Sequence, residues 1–311
     1  MGQFCFGVDV GGTTIKLGLF NNNGNILDKW EIPTRTIDHG CHILPDIRKA
    51  VERKIEERAL LLGDCVGVGV GVPGPVGQDG TVYTAVNLGW GRINVNKELG
   101  TPLALPVKTA NDANVAALGE MWQGGAIGHR NIVLVTLGTG VGGGIIIDGK
   151  IVSGSRGAGG EIGHMHVKDE EEIACNCGNK GCLEQYASAT GIVRLAKEML
   201  EQSKEKSVLK GRKISAKTVF DAVKQRDALA IMVVEKFGEY LGKALAQIAS
   251  VCDPEIFVLG GGVSKAGDIL IEYVSKYYKK YAFETCRNAK FALAKLENDA
   301  GIYGSAKLVL E

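Results

Sequence analysis

The chain has 311 residues, 45% of them hydrophobic and 23% charged, with 36 basic against 35 acidic side chains and a net charge of +1. That length suits two domains of ordinary size. The balanced charge leaves no basic excess for phosphate backbones or an anionic bilayer, which argues against broad nucleic-acid or membrane binding.

The N-terminal stretch MGQFCFGVDVGG has no basic segment followed by an apolar one, so no export signal is expected. Phe6 stands where a myristoylation motif needs Ser or Thr. No apolar run approaches the roughly 20 residues that span a bilayer. These features predict a cytoplasmic chain whose thiols stay reduced.

FCFGVDV, LGLF and ILDKWEIPT predict three strands, joined by the loop GGTTIK and the turn NNNGN. Ile43, Ile47, Val51, Ile55 and Ala59 predict a helix over 43–62. CVGVGVGV (65–72) predicts a strand with one face of almost no bulk, and its PGPV exit cannot continue as helix. PLALPVKT predicts a strand ending where the helix NDANVAALGEMW begins. NIVLVTLGTGVGGGIIIDGKIV (131–152) then reads as strand, glycine loop, strand, Asp-Gly turn and strand. Beside FGVDVGGTTIKLGLFNNNGNILD it is the same hairpin built twice. Helices are predicted over 188–208 and 228–250. EIFVLGGGVS (255–264) predicts a strand entering a glycine turn before a helix over 267–281. FALAKL is a last strand and DAGIYGSAKLVL a closing helix. No Pro- or Ser-rich linker interrupts this order, which predicts two packed domains around a cleft.

The 44 glycines, about twice the average share, gather at strand ends, above all in DVGGTTIK (9–16), LGTGVGGG (137–144) and LGGGVS (259–264). Absent Cβ atoms let backbone N–H groups approach phosphate oxygens, and Thr13, Thr14 and Thr139 add small hydroxyls. The same loops also read as plain tight turns. No G-x-x-x-x-G-K-[ST] occurs, which excludes a P-loop. Gly138-x-Gly140-x-x-Gly143 and Gly69-x-Gly71-x-x-Gly74 satisfy the dinucleotide pattern in form. One precedes the strand IIIDGKI and the other Pro75, so neither opens the helix that pattern requires. Two glycine hairpins plus a strand–glycine–helix turn resemble the actin-like ATPase architecture of sugar kinases, in which the hairpins grip ATP phosphates. Asp9, at the mouth of the first loop, is then either a holder of Mg²⁺ or a cap of its turn.

Asn111-Asp112 lies where strand PVKT meets a helix, the strand end where open α/β sheets place ligands. The pair reads equally as a helix N-cap and as the site of a base that accepts a substrate proton. Cys175-x-Cys177-x4-Cys182 offers three thiolates to a zinc ion that wants a fourth ligand, and GGEIGHMHV supplies His164, with His166 as its rival. A four-ligand shell makes the metal structural. Joining His164 to the cysteines brings Glu161 and Glu184 together, where charged acceptors suit the hydroxyls of a sugar. Glu170, Glu171 and Glu172 read as solvated carboxylates.

These motifs resemble the ROK family of bacterial sugar kinases and repressors, most closely its glucokinases. The resemblance runs from DVGGTTIKLGLF through GVPGPV, AVNLGWG, NDANVAALGE, LGTGVGGGIIIDGKIVSGSRGAGGEIGH and CNCGNKGCLE to LGGGVS. It implies a duplicated actin-like, hexokinase-type α/β fold of the ribonuclease-H-like kind. Its smaller domain would be 1–110 with 299–311, and the larger, 111–298, would carry the zinc knot. Asp112 would be the catalytic base activating the 6-hydroxyl of glucose. Asn111, Glu161, His164 and Glu184, with Gly74 and Asn87, would bind the sugar. Asp9, Gly11, Gly12, Thr13, Thr14, Lys16, Gly138, Thr139 and Gly140 would meet Mg²⁺ and the phosphates, and Gly261 and Gly262 the nucleotide base. His164, Cys175, Cys177 and Cys182 would bind zinc. A homodimer or homotetramer is implied, and the first phosphate loop starts too early for a preceding DNA-reading segment. The other expectations kept open are an N-acetylmannosamine, N-acetylglucosamine or other hexose kinase, and a sugar-sensing regulator without turnover.

Overall fold

The computed structural model describes residues 2–311, which divide into two compact units. The first takes the residues up to Arg130, with Gly144–Gly160 and Lys295–Glu311; the second takes Asn131–Gly143 and Glu161–Ala294.

The first unit begins with β1 (Phe4–Val10), β2 (Thr14–Asn21), β3 (Ile26–Pro33), α1 (Ile43–Glu57) and β4 (Cys65–Val72). Two-residue strands β5 (Thr81–Val82) and β6 (Ile93–Asn94) precede α2 (Val95–Leu103), β7 (Val107–Asn111) and α3 (Asp112–Gln123). The sheet order is β3-β2-β1-β4-β7, antiparallel from β3 to β1 and parallel from β1 to β7. Helix α1 ends at Glu57, short of the expected residue 62, because Ala59 turns to φ 49° and leaves the helical region. Helix α2 was not anticipated. Asn94 caps it by accepting from the Lys97 N–H at 2.9 Å, and Pro102 sits in its last turn. The stretch PLALPVKT is therefore helix end, turn and then strand.

The second unit opens with β8 (Ile132–Leu137) and the start of β9 (Val141–Ile147), whose later residues pair with β10 (Lys150–Ile151) in the first unit. After a long irregular segment come α4 (Glu184–Ala187), α5 (Ala189–Gln202), α6 (Ala216–Lys224), α7 (Ala228–Cys252), β11 (Ile256–Gly260), α8 (Asp268–Tyr281) and β12 (Lys290–Leu293). β8, β11 and β12 run parallel, with Ile256 opposite both Ile132 and Lys290. The predicted long helix over 228–250 appears as α7, capped by Asp227, which accepts from the Ala230 N–H at 2.9 Å. Helix α6 was missed, although Ser215 and Thr218 form a capping box at its start. Among the described residues no helix is long and apolar enough to cross a membrane.

The closing helix α9 (Ala300–Leu310) returns to the first unit and explains the valine–glycine alternation of β4. On one face of the sheet Phe6, Val8, Val68, Val70 and Val72 pack in a core with Ile43, Ile47 and Val51. On the opposite face, Gly7 and Gly69 let the α9 backbone lie directly on the strands. A Cβ on Gly7 would stand 1.9 Å from the Ile302 carbonyl, and one on Gly69 1.7 Å from that of Ser305. Helix α3 packs on the other side of α9, which is why the compact unit includes α3, a helix the sequence reading gave to the larger domain. Fully buried Glu120 on α3 ties down the segment that leads into α9. Its carboxylate accepts from the N–H groups of Gly125 (2.6 Å), Lys295 (3.0 Å) and Leu296 (2.8 Å).

This packing yields a stability test. Gly69→Ala forces α9 off the sheet and should lower unfolding stability by about 1–3 kcal/mol in denaturant titrations. Gly63→Ala, where no atom lies within 4 Å of an added Cβ, should lie within about 0.5 kcal/mol of wild type.

Candidate active site

In the first unit, the β1–β2 turn is closed by the Gly11 N–H to the Thr14 carbonyl (3.1 Å) and by the Thr34 hydroxyl to the Gly11 carbonyl (2.7 Å). The turn is thus made without the Asp9 carboxylate, which stands on the α9 face. A Cβ on Gly301, in the first turn of α9, would lie 2.5 Å from Asp9 Cγ. Lys16 pairs across the hairpin with Asp9 and donates its ammonium to the Asn298 carbonyl at 2.8 Å. Burial and then the Asp112 carboxylate push Asp9 up to about 6, against the pull of Lys16. Asn87, exposed in a short turn at Val86–Leu88, flanks Gly12. Gly12 and Thr13 are exposed, and Thr14 is half-buried.

In the pair Asn111-Asp112 the capping role falls to the first residue. Asn111 is the N-cap of α3, accepting from the Ala113 N–H (3.0 Å) and the Asn114 N–H (3.3 Å). Its side-chain amide donates to the Gly74 carbonyl at 3.1 Å. Gly74 has φ 91°, and a Cβ there would lie 2.2 Å from the Thr84 carbonyl, so only glycine suits the position. With Asn111 doing the capping, Asp112 is the exposed first residue of α3, one of its oxygens accepting from the Ala113 N–H at 2.8 Å.

In the second unit, His164, Cys175, Cys177 and Cys182 bring one ligand atom each to within 4.8 Å of one another. His164 Nδ1 faces Cys175 Sγ at 3.8 Å, and Cys177 Sγ lies 3.6 Å from Cys182 Sγ. The other imidazole nitrogen lies 3.9 Å from the Glu161 carboxylate, and Nδ1 lies 4.0 Å from that of Glu184. The Cys175 thiol donates to Glu184 Oε1 at 3.0 Å. Burial pushes Cys175 up to about 12 and raises Cys182, while the Asn179 backbone N–H holds Cys177 below the ordinary thiol range. Three sulfurs and an imidazole in this spacing fit a tetrahedral zinc, the kind of ion that ionises buried thiols. His166, the rival, is turned elsewhere: its ring nitrogens bond the Lys180 carbonyl and Asp169, each at 3.0 Å.

Glu184 also sits against the second glycine loop. Its Oε2 lies 3.4 Å from the Val141 N–H and fills the place of a Cβ on Gly140. The third loop meets the same region, since Gly261, at φ 80°, has the Leu137 backbone 2.6 Å from where its Cβ would be. Gly262 is exposed beside it, and Gly138, Thr139 and Gly140 close a turn through the Gly138 N–H to the Gly140 carbonyl at 3.0 Å.

One sequence expectation fails here. The Glu171 side chain is largely buried, not solvated: it accepts from the Tyr186 hydroxyl and from Arg194 (2.7 Å), so it clamps the knot segment to α4 and α5. Sequence reasoning also passed over Ser188 and Thr190, which tie α5 to the Gly138–Gly140 loop. Small hydroxyl residues just before a helical run were the available signal.

The family model described as ROK family matches residues 5–311. The chain belongs to the ROK family. This ROK chain is 45% identical to the glucokinase of Halalkalibacterium halodurans over 99% of its length and 95% of the relative's. It is 31% identical to an N-acetyl-D-glucosamine kinase of Histophilus somni over 98% of each chain. Its fold superposes on a ROK glucokinase of Streptomyces griseus, solved with glucose and AMPPNP, at TM-score 0.75 and 34% identity, covering 98% of both chains. The α/β fold is therefore that of the two-domain ROK sugar kinases, as the glycine loops and the knot led one to expect.

The raised Asp9 makes a pH-dependent prediction. An acid whose folded value lies near 6 binds more protons in the native state, so its stabilising contribution is complete below about pH 4 and lost by about pH 6. In magnesium-free buffer, Asp9→Asn should gain on wild type by roughly 1–3 kcal/mol between those limits and hold that lead at pH 7.5. Chemical denaturation at pH 4.5 and 7.5 checks it; equal differences at both would show that Asp9 is not raised.

Proposed function

We propose that this chain transfers the γ-phosphoryl group of ATP to the 6-hydroxyl of glucose. The observation that carries the reading is its end-to-end similarity to glucokinases, one of them solved with glucose and a non-hydrolysable ATP analogue. The N-acetylhexosamine kinase is more distant, at 31% against 45% identity, so glucose takes precedence over the acetylated sugars.

In this reading Asp112 accepts the proton of the 6-hydroxyl as its oxygen attacks phosphorus and the bond to the ADP oxygen breaks. The start of α3 favours the ionised carboxylate the task requires, and the Ala113 N–H fixes one of its oxygens. Asn111, held by Gly74, sets the backbone from which Asp112 projects. Asn87, Glu161, Glu184 and the outer nitrogen of His164 hold the sugar hydroxyls. Gly11, Gly12, Thr13 and Thr14 make one phosphate loop and Gly138, Thr139 and Gly140 another, with Gly261 and Gly262 for the base. Asp9, aided by Lys16, would hold Mg²⁺, which offsets phosphate charge when bound. His164, Cys175, Cys177 and Cys182 would hold zinc in a closed shell, a structural role that orders the 161–184 segment.

Initial rates with glucose, mannose, fructose and the two N-acetylhexosamines at equal ATP test the substrate. A higher kcat/KM for an N-acetylhexosamine would overturn glucose. Asp112→Asn is expected to keep glucose affinity within a few-fold and to lower kcat by roughly 10²-fold or more; a near-wild-type rate removes it as the base. Purified protein should carry one zinc per chain by elemental analysis. Cys177→Ser should lose that ion and weaken glucose binding in calorimetry, and full affinity without metal would uncouple the knot from the sugar.

A further inference from the structure

We propose that Thr190 is a positioning residue for the nucleotide, aiming two backbone N–H groups of the Gly138–Gly140 loop at the ATP phosphates. The inference rests on the ATP-dependent reading above and concerns atoms of the second unit alone.

Two consecutive carbonyls of the loop are drawn to the start of α5. The Ala189 N–H donates to the Gly138 carbonyl at 2.8 Å, and the Thr190 hydroxyl donates to the Thr139 carbonyl at 2.7 Å. A trans peptide points its N–H opposite to its C=O. Pinning these carbonyls therefore turns the Thr139 and Gly140 N–H groups away from α5. Neither donates to an acceptor among the described residues. Two successive unpaired amides in a glycine turn form a concavity suited to phosphate oxygens.

Hydrogen counting fixes the direction of the supporting chain. Thr190 has one hydroxyl hydrogen, and the Thr139 carbonyl takes it. In the 2.8 Å contact between Ser188 and Thr190, Ser188 must therefore be the donor. Ser188, fully buried, in turn accepts from the Gly191 N–H at 3.0 Å. The donors run Gly191, Ser188, Thr190 and end on Thr139, each polarising the next. Glu184, on α4, meets the loop separately, at the Val141 N–H and beside Gly140, and makes no hydrogen bond within this chain, so removing the Thr190 hydroxyl leaves its own contacts in place.

Thr190→Val keeps the shape and removes the donor; Thr190→Ser keeps the donor and removes the methyl. In the full chain, Val is expected to raise the Kd for AMPPNP with Mg²⁺ in calorimetry, and the KM for ATP, by roughly three- to tenfold. Glucose Kd should stay within twofold, and Ser should restore nucleotide binding to within twofold of wild type. Thr190→Ala carries the same comparison should Val fail to fold. The proposal is overturned if Val binds AMPPNP like wild type, if Ser is as weak as Val, or if glucose and nucleotide affinities fall together. A wild-type protein that binds AMPPNP without phosphorylating glucose defeats the proposed sugar alone, whereas one that binds no AMPPNP defeats both readings.

Discussion

The direct seating of α9 on the sheet where Gly7 and Gly69 carry no side chain is the constraint from which the first unit follows. Main-chain carbonyls of α9 occupy the places that Cβ atoms of Gly7 and Gly69 would take. That contact lets α3 pack on the far side of the same helix, with Glu120 fastening the connecting segment through three backbone N–H groups. Close-packed interiors do not accommodate an added methyl without moving a whole element. The consequence reaches the chemistry. Asp9 lies next to the end of β1 on the α9 side and Asp112 begins α3, so the packing that buries the one also brings it under the charge of the other.

The second unit solves a different problem. Over residues 161–183 the chain has little regular structure, and of its apolar and thiol side chains only Ile162, Cys175, Cys182 and Leu183 are buried. Short backbone bridges, His166 with Cys182 and Ala174 with Lys180, fold it into a knot. The Glu171–Arg194 pair and the Tyr186 ring over which that guanidinium lies clamp the knot to the helices. Three thiols and one imidazole then converge, and Glu161 and Glu184 are carried to the imidazole by the chain on either side. Glu184 is the hinge of the arrangement, because it touches both the thiol of Cys175 and the backbone of the second glycine loop.

Much of this was legible in the residues because the physics that places them is local. Glycine loops between apolar strands, the periodicity of α7 and the C-x-C-x4-C spacing act over a few positions, and each appears where it was expected. Helices α2 and α6 escaped notice because each is only nine residues long, with the caps Asn94 and Ser215 as their start signals. The end of α1 was overrun because a single left-handed residue, Ala59, stops it, and alanine gives no warning of that.

By itself, the order of residues determined the α/β class, the paired glycine hairpins, the three thiols of the knot and the two carboxylates that bracket it, since these depend on residue type and near-neighbour spacing. Only the tertiary structure decided that Asn111 caps while Asp112 stands exposed, that His164 and not His166 joins the sulfurs, and that Glu171 is buried. It alone also placed α3 with the first unit and set the Thr190 hydroxyl on the Thr139 carbonyl. The reason is the same in each case: direction, burial and pairing belong to groups far apart in the chain, and folding must bring them together before either has a partner.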